Sequence, residues 1–261
     1  MYKGTCEGNL DEIEFVKCFN SNRNIFKEYL SKFEQNENLW MVRVTTKQVS
    51  KLSGKKVFTR SDCYLAEIGV NIENLLFKNN YCLSEEILEG ANIPYRKIPF
   101  SGISIKMATS KTFQILKTGS NSFNALFNSR ELGAGASLFC DRECELEKNL
   151  DLISGWNSTV DKMQEYFSEF SLQNPKFYLN KEICKKIKKY SCQKIKEMIE
   201  ASEDLQQKIF NGIGLYEEPY TAHYFYYGDK IVKLKTIPFV VTTGSGRSRG
   251  DYTIVLKPHN K

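Results

Sequence analysis

Histidine is almost absent from this chain of 261 residues, which has only His223 and His259. No pair of histidines stands at metal-ligand spacing, so zincin sites and nucleases built on a histidine-held metal are excluded. A Ser-His-Asp or Cys-His hydrolase would have to use His223, and no nucleophile elbow accompanies it. A packed strand residue is the plainer role for it. Long apolar runs are missing too: none approaches the roughly 18 residues that a membrane helix needs. The stretch Met1 to Cys6 leads into acidic residues rather than an apolar segment. The expectation is a cytoplasmic protein with no secretory leader and no membrane contact. No Gly-Lys-Ser/Thr follows Gly244 or Gly246, so the glycine-rich stretch there is not a Walker phosphate loop.

Cysteine is plentiful but unordered. Its eight copies lie at 6, 18, 63, 82, 140, 144, 184 and 192. In a chain expected to stay in the cytoplasm they read as free thiols, buried as small hydrophobes. Cys140, Cys144, Cys184 and Cys192 offer four thiolates for zinc, yet neither pair has the two-residue spacing of a zinc knuckle.

What is present fits a folded α/β protein. The hydrophobic fraction is 41% and the aromatic fraction 13%, enough for a real core. The net charge of +6 is modest but concentrated. Lysines at 176, 181, 185, 186, 188, 189, 194 and 196 face the single acid Glu182, and the tail from Gly228 to Lys261 is also basic. Such fields suit a polyanion, because neutralising phosphates releases condensed counterions. A solvated helix face explains the 176–196 stretch equally well.

Three- and four-residue spacing predicts a helix over 11–36, interrupted near Asn20 to Asn24. Two β-like runs follow, Leu39 to Thr46 and Val57 to Ile68. Residues 71–89 read as helix. Pro94 and Pro99 bracket an extended stretch, Ile103 to Met107 alternates as a strand, and Ser110 to Leu116 and Asn121 to Ser129 read as short helices or loops. A broken helical pattern covers Glu143 to Leu172. A long helix over Lys181 to Asn211 should end on a left-handed Gly212. The final fifty residues are β-rich, with strands at Tyr220 to Tyr227, Lys230 to Thr236, Phe239 to Thr243 and Tyr252 to Lys257. The tyrosines of 220–227 could stack on bases or form the core face of a sheet. Together these predict a central mixed β-sheet flanked by helices in one domain, residues 1–261, with a helical segment at about 143–211.

Three segments carry chemistry. Arg60-Ser61-Asp62 sits within a β-like run, where an acid is costly without a purpose; strand alternation would group Asp62 with Tyr64 and Ala66. Ile103-Ser104-Ile105-Lys106 is an apolar strand ending in lysine, leading into Ser110 to Gln114. Gly246-Arg247-Ser248-Arg249-Gly250-Asp251-Tyr252 is a glycine- and arginine-rich loop. Phosphodiester hydrolysis needs a carboxylate to hold a divalent metal, an amine to position water, and donors to neutralise developing charge. Asp62 and Lys106 on neighbouring strands could supply the first two. The competing readings are an acid paired with Arg60 or Lys55, a lysine capping a strand, and a simple hairpin turn.

In this order the segments resemble the PD-(D/E)XK nucleases, as found in type II restriction endonucleases, and in particular the small four-base cutters. The resemblance implies a sequence-specific endonuclease with a restriction-endonuclease-like fold, acting on double-stranded DNA with Mg2+ and no organic cofactor, alongside a protective methyltransferase. It implies that Asp62, with the Ile105 carbonyl, holds the metal. Lys106 would orient the attacking water, and Ser104 would touch a metal-bound water or phosphate. Lys111, Gln114, Arg247 and Arg249 would contact DNA. Ser61 replaces the usual proline, and Ser104 stands where the pattern has Asp or Glu. A carboxylate from an amino-terminal helix, Glu14 or Glu28, would then complete the site. A palindromic target would favour a homodimer, although small cutters of this family also act as monomers. The alternatives are a non-catalytic nucleic-acid-binding protein and a nuclease acting on RNA or branched DNA.

Overall fold

The run Cys63-Tyr64-Leu65-Ala66 is apolar at every position, the mark of a strand covered on both faces rather than one. A computed structural model bears this out and describes residues 3–33, 38–106, 114–138, 146–227, 229–233, 238–243 and 254–258. The strands are β1 (Leu39–Arg43), β2 (Gln48–Val49), β3 (Lys56–Val57), β4 (Cys63–Glu67), β5 (Leu83–Ser84), β6 (Arg96–Lys97), β7 (Ile103–Ile105), β8 (Leu116–Thr118), β9 (Tyr224–Tyr227), β10 (Lys230–Lys233), β11 (Phe239–Thr243) and β12 (Ile254–Pro258). The chain divides into two compact units, residues 1–111 with 210–236 and residues 112–209 with 237–261.

The first unit holds a mixed sheet in the order β10-β9-β7-β4-β1-β5, with β6 also paired to β4. β4 runs antiparallel to β1 and β7, whereas β7 and β9 are parallel. Helix α1 (Lys3–Ser21), a 3-10 turn at Arg23–Phe26 and α2 (Lys27–Leu30) cover one face. There Phe15, Val16, Phe19 and Tyr29 pack on Met41, Leu65 and Ile103. The opposite face gathers Tyr64, Ala66 and Val42 with Ile72 and Leu76 of the α3 region (Glu73–Lys78) and Leu88 of α4 (Glu85–Gly90). The predicted mixed sheet flanked by helices is therefore present. The side chain of Asn20 fastens α1 to the sheet, donating to the Met41 carbonyl (3.0 Å) and accepting from the Met41 N–H (2.9 Å).

On that second face Glu85 is 1% exposed yet fully engaged. It accepts from the hydroxyls of Tyr64 (2.9 Å), Tyr220 (2.7 Å) and Thr46 (2.7 Å) and from the Thr45 and Thr46 amides. Burial alone would raise its carboxyl, but these hydrogen bonds outweigh it and hold the group below the usual carboxylate range. Tyr220, Tyr224 and Phe225 are buried in the core, whereas Tyr226 and Tyr227 are half-buried.

The second unit stacks α5 (Ser120–Phe127), α6 (Arg130–Ser137), α7 (Leu146–Gly155), α8 (Val160–Tyr166), α9 (Lys181–Ala201) and α10 (Glu203–Gln206) with an antiparallel sheet, β11-β12-β8. Asn180 caps α9, its side chain accepting from the Glu182 and Ile183 amides.

Several expectations need correction. Val57 to Ile68 is not one strand: residues 58–62 leave the sheet and Asp62 only precedes β4, so alternation does not set its direction. Residues 71–89 are two short helices split by β5, because Asn80 and Tyr81 take positive φ and turn the chain. The long helix breaks at Ser202, whose hydroxyl starts α10 instead, although Gly212 does take the expected left-handed φ of 77°. Cys18, Cys63, Cys82, Cys184 and Cys192 are free thiols; Cys140 and Cys144 lie outside the described residues. Among the described residues no helix is long and apolar enough to cross a membrane.

Candidate active site

The segment before β4 is tied down by backbone groups. The Arg60 and Ser61 amides donate to the Tyr220 carbonyl (3.1 and 3.2 Å), and the Ser61 hydroxyl donates to the Pro219 carbonyl (3.0 Å). Asp62 is thereby held at the mouth of β4. Its N–H donates to the Ile103 carbonyl (2.8 Å) and its own carbonyl accepts from Val44 (2.9 Å). Gly102 lets the chains approach this closely: a Cβ there would lie 1.8 Å from the Thr221 carbonyl oxygen.

The Asp62 carboxylate turns to β7. Its Oδ2 accepts from the Ile105 N–H (2.6 Å) and from the Ser104 hydroxyl (3.1 Å). Ser104 thus steadies the acid in place of bearing a second one. In a strand the N–H and C=O of one residue leave on the same side, so the Ile105 carbonyl also opens toward Asp62. Lys106 follows directly. Its N–H donates to the Tyr226 carbonyl (3.0 Å), and its ammonium lies 5.7 Å from the centre of the Phe225 ring. Asp62, Ser104, Ile105 and Lys106 are therefore brought together at one rim of the sheet.

Both amino-terminal glutamates expected to complete the site, Glu14 and Glu28, are exposed. Glu14 points to solvent and pairs with Lys17 (2.9 Å), and Glu28 is exposed on α2. Glu12, half-buried on α1, lies within electrostatic reach of Asp62 and Lys106. Burial, then the Asp62 carboxylate, push its carboxyl up to about 7 against the pull of Arg43 and Lys106. Burial, followed by Asp62 and Glu12, likewise raises the Cys63 thiol well above its ordinary value. Two atoms beside Glu12 are buried without a hydrogen-bond partner, Asp11 Oδ2 and Arg43 Nε. The signal for Glu12 was in the sequence: it stands three, four and seven residues before Phe15, Val16 and Phe19, on the apolar stripe of the helix.

These residues fit a hard divalent cation. The donors on offer are oxygens: the Asp62 carboxylate, the Ile105 carbonyl and, on α1, the Glu12 carboxylate. Among the described residues no group of three or more His, Cys, Asp or Glu forms a ready-made metal cage. Magnesium does not require one, since it keeps several waters and is held through one or two carboxylates plus substrate phosphate.

No protein-family model, no curated protein and no solved structure matches the chain.

The predicted DNA contacts fare differently. Lys111, Arg247 and Arg249 lie outside the described residues, and Gln114 is exposed ahead of β8 in the second unit. His223 precedes β9 and is held by Glu218 (2.8 Å) and Thr221 (3.0 Å). Both groups meet the same ring nitrogen, Nε2, which suits a structural tie rather than a nucleophile-base-acid relay.

Proposed function

We propose that the chain is a magnesium-dependent, site-specific endonuclease of the type II restriction kind, which hydrolyses phosphodiester bonds of double-stranded DNA in the cytoplasm. The observation that carries this reading is the Asp62 carboxylate bonded to Ser104 and to the Ile105 amide, one residue before Lys106, with Glu12 of α1 within electrostatic reach; it resembles the arrangement expected of a restriction-endonuclease-like fold. Asp62 and Glu12, with the Ile105 carbonyl, would hold the magnesium ion. Bound there, the ion supplies Lewis-acid polarisation of the scissile phosphate and lowers the pKa of water.

The chain's own residues do the rest. Lys106 orients the attacking water in line with the leaving oxygen and offsets the growing negative charge. Ser104 and the Ile105 amide fix the rotamer of Asp62, so little reorganisation remains when substrate arrives. Arg43, whose Nε has no hydrogen bond, is placed to balance the carboxylates. A palindromic target would call for a homodimer, and a partner methyltransferase would protect the host sequence.

Digestion of a mapped supercoiled plasmid with and without Mg2+ tests the reading. Discrete fragments with the wild type, lost in Asp62→Ala and Lys106→Ala by about 100-fold or more while far-UV circular dichroism is unchanged, are expected. Tight DNA binding with no cut under any divalent metal would leave a binding protein in place of an enzyme.

A further inference from the structure

From Thr45 to Arg60 the chain contains no acid, but it carries Lys47, Lys51, Lys55, Lys56 and Arg60. Most of this stretch is the β2–β3 ribbon, which pairs with itself and not with the main sheet. Its register, Gln48 opposite Val57 and Val49 opposite Lys56, sorts the side chains by alternation. Ser50 is buried and Gln48, Leu52, Val57 and Thr59 are half-buried on the inward side. Lys47, Val49, Lys51, Lys56 and Phe58 share the outward side, and all are exposed, Phe58 by 76% and Val49 by 55%. The Lys47 ammonium lies 4.7 Å from the centre of the Phe58 ring. Among the described residues no acid pairs with Lys51, Lys55 or Lys56.

The ribbon is held to the rest of the first unit both at its connecting turn and at its root. The Lys51 N–H donates to the Leu215 carbonyl (3.2 Å), and the Tyr216 hydroxyl donates to the Phe58 carbonyl (3.4 Å). The tip turns through Gly54 at φ 63°, its N–H on the Ser50 carbonyl (2.8 Å). A lone two-stranded ribbon is marginal in water; these two hydrogen bonds and the inward side hold this one. Apart from the Lys47–Phe58 contact, the outward side gathers like charges and exposes a phenylalanine. Such a surface is built for an external polyanion.

We propose that the β2–β3 ribbon is a docking element for duplex DNA, its lysines on backbone phosphates and its strands entering the major groove. The major groove of B-DNA admits a two-stranded ribbon, and this ribbon runs directly into Asp62, within the same unit. The choice of duplex DNA as the polyanion rests on the function proposed above. An acidic membrane suits the surface less well, since Val49 and Phe58 are its only large apolar groups and the ring already carries a lysine.

The test is fluorescence anisotropy of a labelled DNA duplex with the full chain, in a chelator so that nothing is cut, over a range of salt. Lys51→Ala, Lys55→Ala and Lys56→Ala combined should weaken binding about tenfold or more and flatten the log affinity versus log salt slope by about 2–3, near 0.9 per lost phosphate contact. Circular dichroism and melting should not change. Phe58→Ala should weaken binding with the slope intact. An unchanged slope in the triple variant overturns the proposal. So does binding to an RNA duplex of the same sequence as tight as to DNA, because its major groove is too narrow. Release of the triple variant from phosphatidylserine vesicles, with DNA binding intact, overturns it in favour of a membrane. A wild type that binds DNA with the expected slope but never cuts it sinks the catalytic reading and leaves the ribbon's role standing.

Discussion

Glu12 and Asp62 set two carboxylates against each other on a half-buried rim, with Arg43 and Lys106 as the nearby cations. Glu12 bears the conflict, with a folded pKa of about 7 against an ordinary 4.5. A raised pKa means that the folded state holds the proton more tightly than the unfolded chain does. Its contribution to stability is complete below about 4.5 and is lost as pH rises through about 7. With solvent screening allowed for, the loss amounts to roughly 1–2 kcal/mol. Urea unfolding without metal should show this decline in the wild type and not in Glu12→Gln. A decline of the same size in Glu12→Gln would show that another group carries it. Activity should run the other way, since only the ionised carboxylate can serve a cation: cleavage should fall as pH drops below about 7 at limiting Mg2+. Glu12→Gln should lower cleavage at least 100-fold at any pH, whereas Glu14→Gln should cut normally.

At the scale of the element, Gly102 and Asn20 decide where the rim lies. Gly102 lets β7 and the segment before β9 touch, and a methyl there would meet the carbonyl oxygens of Thr221 and Pro219. Gly102→Ala should cost about 3 kcal/mol, the upper part of the range for overpacking, because backbone cannot yield as a side chain can. Denaturant midpoints would measure it, and a change below about 0.5 kcal/mol, the scale of an ordinary surface substitution, would mean that the approach is looser than drawn. These two positions also show what the sequence makes legible. Periodicity marks α1, β1, β4, β7 and α9, since their apolar spacing is set by burial on known faces. Asp62, Ser104 and Lys106 could be paired because strand ends adjoin within a sheet. The choice of Glu12 over Glu14 and Glu28 needed the helix stripe to be phased against the buried Asn20, which fixes α1 on β1 through the Met41 amide and carbonyl. The turn at Asn80–Tyr81 escaped because neither residue advertises a positive φ as glycine would. The ribbon is not legible in the sequence, because its strands are two residues long, too short for alternation to be read.

Across the whole molecule the two units are interleaved in sequence: each is made of two stretches of chain, and each has its own core and sheet. Every residue named for catalysis falls in the first unit, together with β9, which supports Lys106 through the Tyr226 carbonyl. Two cores in one chain need not melt as one cooperative body. A ligand that binds only one of them stabilises only that one, by RT ln(1 + [L]/Kd), or about 2.7 kcal/mol at a hundredfold excess over Kd. Calorimetry of the intact chain should therefore show unfolding broader than a two-state transition. Saturating Mg2+ should move one component upward by a few degrees and leave the other in place. Glu12→Gln should abolish that movement without altering the second component. A single two-state peak that Mg2+ shifts as a whole would mean that the units unfold together. No shift in the wild type would remove the metal from the rim, and with it the reason for two carboxylates to face each other there.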